Sequence, residues 1–146
     1  MAGAEYRIRT IEKDGSTLIY DIIRKKYIAC TPEEWVRQCF LLYLISEMKY
    51  PRSLISVEAG LKFHIMQKRT DIVVYDRQGK PFMLVECKAD YVPIDQNVME
   101  QASVYNQKIM APYLVATNGK QTVVCIIDFE NKSVRFVDDL PTFALM

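Results

Sequence analysis

The N-terminal part of the chain has the hydrophobic and polar pattern of a β-hairpin. Residues 6–12 and 17–23 are rich in strand-forming residues, and Asp14-Gly15 between them is a turn signal. The basic stretch of residues 24–26 follows before the pattern changes to a helical one. We therefore expect the fold to begin with a β-hairpin.

The first helix is predicted over residues 32–49, because apolar residues recur there at helical spacing. Thr31 is suited to cap this helix, and Pro32 occupies its first position. Glu34 lies three residues after Thr31 and completes a capping box. Pro51 is expected to stop the helix after Tyr50.

A second helix is predicted over residues 95–110, with Asp95 as its cap. Strand patterns occupy six further segments. These are residues 54–61, 69–75, 82–87, 113–117, 121–128 and 133–137. The order of elements predicts an α/β (α+β) fold with a central mixed β-sheet flanked by helices. No loop is long enough to mark a boundary, so residues 1–146 are expected to form a single domain.

Composition and charge narrow the function classes without selecting one. The chain has 146 residues, half of them hydrophobic, and a formal net charge of +1, so nucleic-acid binding would require a local basic patch. The four cysteines lie far apart and there is one histidine, which disfavours a zinc site or a disulfide framework. The apolar run of residues 39–45 is too short to span a membrane, and no secretory signal is evident. These features favour a cytoplasmic protein without a membrane partner.

Three charged residues stand out in the two strand segments around Gln78-Gly79. If the hairpin turns there, residue 75 faces 82, 73 faces 84, and Asp71 faces Glu86. Opposed residues hold their Cβ atoms about 4.5–5.5 Å apart, so the two carboxylates converge on one face. A proton or a hard divalent cation relieves their repulsion. Lys88 returns to the same face two residues after Glu86.

An acid–acid–lysine set of this kind is suited to metal-dependent phosphodiester hydrolysis. The metal activates water, and the lysine orients that water or stabilises charge in the transition state. The alternative interpretation is a set of solvated strand-end charges with an ordinary surface ion pair. The pattern itself is loose, but both strands are apolar enough to be central, where charges are unusual.

With these residues in view, the chain resembles the PD-(D/E)xK nuclease superfamily. More closely, it resembles the N-terminal nuclease domain of type I restriction enzyme R subunits, in the form of small stand-alone bacterial proteins. The stretches that carry the resemblance are residues 31–38, 54–58, 68–76, 84–89, 101–105 and 112–119. Thr70 stands where the name of the superfamily implies proline.

The resemblance implies a restriction-endonuclease-like sheet with the active site on the hairpin of residues 71–88. Asp71 and Glu86 would be ligands of Mg²⁺, for which Mn²⁺ can substitute, and the Cys87 carbonyl would be a third ligand. Lys88 would be the catalytic lysine.

The resemblance also implies roles for three helical residues. Glu34 matches the position of a further acid, although the capping box explains it equally well. Gln101 and Tyr105 share a helix face and resemble a glutamine–tyrosine element that orders the site and contacts DNA in some nucleases. Helix packing alone would account for Tyr105 but not for Gln101.

The leading hypothesis is a Mg²⁺-dependent DNA endonuclease or exonuclease. The alternative is a non-catalytic module of the same fold that binds nucleic acid or protein, and a weaker possibility is a structural subunit that only dimerises. The chain contains no P-loop and therefore no motor of the kind that type I R subunits carry. DNA is the expected partner, with a homodimer and restriction-modification or repair proteins as further hypotheses.

Overall fold

The computed structural model describes residues 7–58 and 71–143, with Glu58 and Asp71 described by their backbone alone. The helices within this part are α1, Pro32–Ser46, and α2, Gln96–Ile109, with a 3-10 turn at Arg52–Leu54. The strands are β1 (Thr10–Lys13), β2 (Ser16–Asp21), β3 (Lys26–Ala29), β4 (Ile55–Glu58), β5 (Asp71–Tyr75), β6 (Pro81–Cys87), β7 (Tyr113–Thr117), β8 (Thr122–Asp128) and β9 (Ser133–Val137).

The strands form two sheets. A six-stranded sheet has the order β4-β5-β6-β7-β8-β9, and only its central pair, β6 and β7, is parallel. The predicted α+β class with a mixed sheet is confirmed. The N-terminal hairpin β1–β2 is present but continues into β3, so this part is a three-stranded antiparallel sheet. The basic stretch makes the β2–β3 turn, in which Lys25 has a φ of 60°.

Helix α1 begins as predicted and ends three residues earlier. The Thr31 hydroxyl accepts a hydrogen bond from the Glu34 backbone N–H at 3.0 Å, which caps the first turn. At the other end Lys49 adopts a φ of 64°, and the Tyr50 N–H bonds back to the Leu44 carbonyl at 3.0 Å. This left-handed closure ends the helix before Pro51 is reached.

The two helices cover opposite faces of the six-stranded sheet. Residues alternate along β5 and β6, so that Val74 and Val85 pack in the layer of α1, whereas Val73 and Leu84 pack in the layer of α2. We call these the α1 layer and the α2 layer. Both layers are apolar, and the strands between them are buried on both faces.

Two predicted strands extend beyond the described residues. Of the segments 54–61 and 69–75, residues 59–61 and 69–70 lie outside the described part. A bulge between Val74 and Tyr75 makes Tyr75 pair with Pro81, so the predicted pairing of Tyr75 with Phe82 is wrong. Among the helices of the described residues, none is long and apolar enough to cross a membrane.

Candidate active site

The β5–β6 hairpin has the register that the turn position predicts over its central part. Ile72 pairs with Val85, Val73 with Leu84 and Val74 with Met83. Continued by one residue, this register brings the backbone of Asp71 level with Glu86. The Asp71 side chain lies outside the described part, so the convergence of the two carboxylates stays a prediction.

Glu86 and Lys88 are close together at the end of β6. The Glu86 side chain is buried, with 2% of its surface exposed, and its Oε2 atom lies 3.4 Å from the Lys88 Nζ atom. This distance is longer than a charge-assisted hydrogen bond of about 2.8 Å, so the contact is an ion pair. The Lys88 backbone N–H donates to the Thr117 carbonyl at 2.9 Å, which holds Lys88 against β7.

On the side of β7 and α2, the described residues near Glu86 are apolar. In the parallel pairing of β6 and β7, Glu86 is level with Ala116. Ala116 packs with Ile94 and Val98 at the start of α2. A carboxylate in such a place needs a cationic partner, because an uncompensated buried charge costs several kcal/mol (about 3–5). Lys88 meets this need within the described residues.

The side chains of Cys87 and Glu86 lie on opposite faces of the six-stranded sheet. The Cys87 side chain is buried in the α1 layer. The thiol is therefore directed away from the Glu86 carboxylate. A metal ligand supplied by Cys87 would have to be its backbone carbonyl, as the sequence analysis proposes.

Glu34 lies in a different environment, a buried polar network in the α1 layer. Its carboxylate accepts hydrogen bonds from the Arg37 guanidinium and from Gln38 Nε2, the latter at 3.1 Å. The Thr31 N–H bonds to the Ala29 carbonyl, so the reciprocal half of the predicted capping box is wrong. Since α1 covers the face opposite to Glu86, the structure does not bring Glu34 together with the Glu86–Lys88 pair.

The network continues from α1 to the end of β2. Arg37 Nη1 lies 3.9 Å from Asp21 Oδ2, and Gln38 Oε1 accepts a hydrogen bond from the Ile22 N–H at 3.2 Å. Burial lowers the pKa of Arg37, although attraction to Glu34 opposes this effect. Arg37 and Gln38 were not identified from the sequence as members of a polar network. Their spacing of three and four residues from Glu34 was the available signal.

Asp21 is held in its charged form. Burial tends to raise its pKa, but hydrogen bonds from the Arg24 side chain and from the Arg24 and Ile23 backbone N–H groups outweigh burial and lower it. The network therefore ties the three-stranded sheet to α1 through ionised groups.

Gln101 and Tyr105 differ in their exposure to solvent. Gln101 is exposed, whereas Tyr105 is buried in the α2 layer with Val73 and Leu84. Tyr105 thus packs beneath the hairpin that carries Glu86. The helix face that Gln101 and Tyr105 were predicted to share therefore lies at the edge of the core. Tyr105 packs against the strands there, and Gln101 is exposed to solvent.

No group of three or more histidine, cysteine, aspartate or glutamate side chains suited to a metal occurs among the described residues. A cavity of about 390 Å³ opens in the α1 layer between α1 and the β7–β8 strands. It is lined by Val36, Phe40, Tyr43, Asp138, Asp139 and Leu140, among others. It includes none of the predicted site residues, since Glu86 belongs to the other face of the sheet.

A family model matches residues 32–141, which run from α1 to beyond β9. The model describes the type I restriction enzyme R protein N terminus (HSDR_N). The chain belongs to this family. This match confirms the resemblance to the N-terminal domain of type I restriction enzyme R subunits. No curated protein and no solved structure matches the chain significantly.

The range matched to the type I restriction enzyme R protein family contains every candidate site residue. It includes both helices, the whole six-stranded sheet and the Glu86–Lys88 pair. Strands β1–β3 precede it, although Asp21 at the end of β2 joins the network of α1. The candidate site therefore belongs to the family domain, and the three-stranded sheet is packed on it.

Proposed function

We propose that this domain is a Mg²⁺-dependent DNA nuclease of the PD-(D/E)xK class, with Asp71, Glu86 and Lys88 as its catalytic set. The observation that carries this proposal is the ion pair at 3.4 Å between the buried Glu86 and the partly buried Lys88. An acid and a lysine are held together at the end of a central strand, where charged groups are otherwise rare. If the β5–β6 register is continued by one residue beyond the Ile72–Val85 pair, Asp71 would be level with Glu86, which supports its inclusion in the set.

The donors at this place fit a hard divalent cation. Carboxylate and carbonyl oxygens are the ligands that Mg²⁺ and Mn²⁺ prefer, and Mg²⁺ usually takes only one or two protein carboxylates. Asp71, Glu86 and the Cys87 carbonyl would hold it. Bound there, Mg²⁺ would supply a Lewis acid for the phosphoryl oxygen and acidify a water molecule.

The protein residues would then position Lys88 and stabilise charge on the phosphate. Glu86 keeps the Lys88 ammonium in place, and the apolar residues around the pair strengthen any interaction of that ammonium with a phosphate oxygen. Tyr105 packs against the hairpin and supports it. We assign Gln101 to DNA contact because it is exposed. For Glu34 we propose a positioning role through α1, since both of its oxygens are engaged there.

The first testable prediction concerns Lys88. In the presence of Mg²⁺, wild-type protein should cleave DNA, and EDTA should stop cleavage. Replacing Lys88 by alanine should lower the rate about 100-fold or more, the typical cost of removing one transition-state donor. Single-stranded and duplex substrates should both be assayed at 25 °C, after a thermal melt has shown that the variant is folded.

Lys80→Ala is the matched control, because Lys80 is an exposed lysine at the other end of the same hairpin. Its rate should equal that of the wild type. Cleavage by folded Lys88→Ala at the wild-type rate would contradict the proposal. A wild-type protein that binds DNA with Mn²⁺ but never cuts it would instead support the non-catalytic module.

A further inference from the structure

The loop between β6 and α2 presents an exposed aromatic ring next to the candidate active site. Tyr91 is 74% exposed, more than any other large hydrophobic residue in the described part of the chain. It follows Lys88 by three residues, so their Cα atoms are at most about 11 Å apart. Single exposed apolar residues are common, and the case for Tyr91 therefore depends on how the loop holds it.

The loop is ordered by hydrogen bonds on both sides of Tyr91. The Val92 N–H donates to the Ala89 carbonyl at 3.0 Å, which closes a turn with Tyr91 inside it. Asn118 donates from Nδ2 to the Val92 carbonyl at 2.8 Å, and the Ile94 N–H bonds to Gln121 Oε1 at 3.3 Å. The ring is therefore displayed on a fixed turn, and a ligand that contacts it would have little backbone left to order.

Two lysines belong to the segments next to Tyr91. Lys88 precedes it, and Lys120 lies on the adjoining β7–β8 turn, 4.0 Å from Asp90. The Asn118 side chain fixes this second turn, because Oδ1 accepts hydrogen bonds from the Lys120 and Gln121 N–H groups. Asp90 adds one negative charge beside Tyr91, which the ion pair with Lys120 offsets.

An exposed aromatic ring with lysines in the neighbouring segments is suited to contact an unpaired nucleotide. The bases of a single strand offer free π-faces for stacking, whereas those of a duplex are stacked on each other, and the phosphates on either side attract the lysines. We propose that Tyr91 stacks on an unpaired base next to the scissile phosphate, so that this domain acts on single-stranded or locally opened DNA. This inference rests on the proposed nuclease function and specifies its substrate.

The test is binding without cleavage. A fluorescein-labelled fifteen-nucleotide oligo(dT) and a labelled blunt-ended duplex of two annealed strands would be titrated with protein in EDTA, with anisotropy as the readout. Tyr91→Ala should weaken binding of the single strand by about five- to a hundredfold, the range of one aromatic–base stack. Tyr91→Phe should bind within twofold of wild type, and duplex binding should change by less than twofold in both variants.

Tyr43→Ala is the control, since Tyr43 is also exposed but lies on α1, over the opposite face of the sheet. Its affinity should match that of the wild type. The inference is overturned if Tyr91→Ala binds the single strand as wild type does, if Tyr91→Phe loses as much as alanine, or if wild-type protein binds only duplex. These outcomes are separate from failure of the nuclease proposal, which cleavage by the Lys88 variant tests.

Discussion

At the residue scale, Asp21 is a buried carboxylate whose stability contribution should depend on pH. Hydrogen bonds from Arg24 and neighbouring N–H groups lower its pKa from the ordinary 3.8 despite burial. A lowered folded pKa means that the stabilisation is fully present above the unfolded value and is lost as the pH falls through the folded value. Asp21 should therefore contribute fully at neutral pH; its contribution should begin to fall near the unfolded pKa of about 4 and be lost only below the lower folded pKa.

We expect Asp21→Asn to be less stable than wild type at pH 7 and to lose less of its remaining stability between pH 5 and pH 3. Urea unfolding at several pH values in this window measures both effects. Glu130→Gln, which changes an exposed carboxylate in the β8–β9 turn, is the control. Parallel pH profiles of wild type and Asp21→Asn would show that Asp21 is not the group responsible.

Neighbouring residues in the sequence predicted the hairpin of the candidate site, but they did not predict contacts that depend on tertiary packing. The hairpin register followed from the turn at Gly79, whose φ of 84° suits glycine. The contacts of Glu34 could not be foreseen in full, because Asp21 joins them from a strand that precedes α1 by more than ten residues. The exposure of Gln101 likewise depends on how far α2 tilts over the sheet, which sequence spacing does not determine.

At the scale of elements, a left-handed residue that is not glycine follows each helix, Lys49 after α1 and Met110 after α2. Met110, which follows α2, has φ 63° and ψ 43°, and its N–H bonds to the Asn106 carbonyl at 2.6 Å. The Asn106 side chain then donates to the Ala111 carbonyl and accepts from the Ala111 N–H. This conformation is unfavourable for a residue with a Cβ atom, so the end of α2 stores avoidable strain.

Met110→Gly should stabilise the protein by about 0.5–1 kcal/mol, because glycine adopts this conformation without strain and the Met110 side chain is 54% exposed. A rise of the thermal unfolding midpoint by a few degrees would show it. Met110→Ala keeps the Cβ atom and should give no such rise. Equal midpoints for the glycine and alanine variants would refute the explanation.

The same comparison explains why the start of α1 was predicted more accurately than its end. Thr31 and Asp95 cap through their own side chains, so each start is recognisable from one residue. The ends depend on Lys49 and Met110 in left-handed conformations, which their residue types do not indicate. Pro51 set an outer limit to α1 but did not end it.

At the scale of the whole molecule, the site lies at the centre of the six-stranded sheet. Alternating patterns identified most strands of that sheet, but they do not specify which strands pair. The parallel contact of β6 with β7 brings Ala116 beside Glu86 and Thr117 beside Cys87. That contact arises because α2 crosses between the two strands, a tertiary arrangement that periodicity alone does not define.

The three-stranded sheet, β1–β3, is attached to this domain by few buried groups. Every residue of β1 is exposed, and the family match begins after β3. The link consists mainly of Ile19, Ile22 and the Asp21–Arg37–Gln38 network. A unit with few buried contacts opens at a lower free energy than the core.

Amide hydrogen exchange should therefore be faster in the three-stranded sheet than in the centre of the six-stranded sheet. Amides of β6 and β7 should exchange only through global unfolding, with a strong dependence on urea, whereas hydrogen-bonded amides of β1–β3 should exchange faster with little urea dependence. Gln38→Ala removes the hydrogen bond to Ile22 and should speed exchange in β2 and β3 more than in β6 and β7. If all these strands had equal exchange free energies in wild type, the two sheets would form one cooperative unit, and the network would stabilise β6 and β7 as strongly as it stabilises its own sheet.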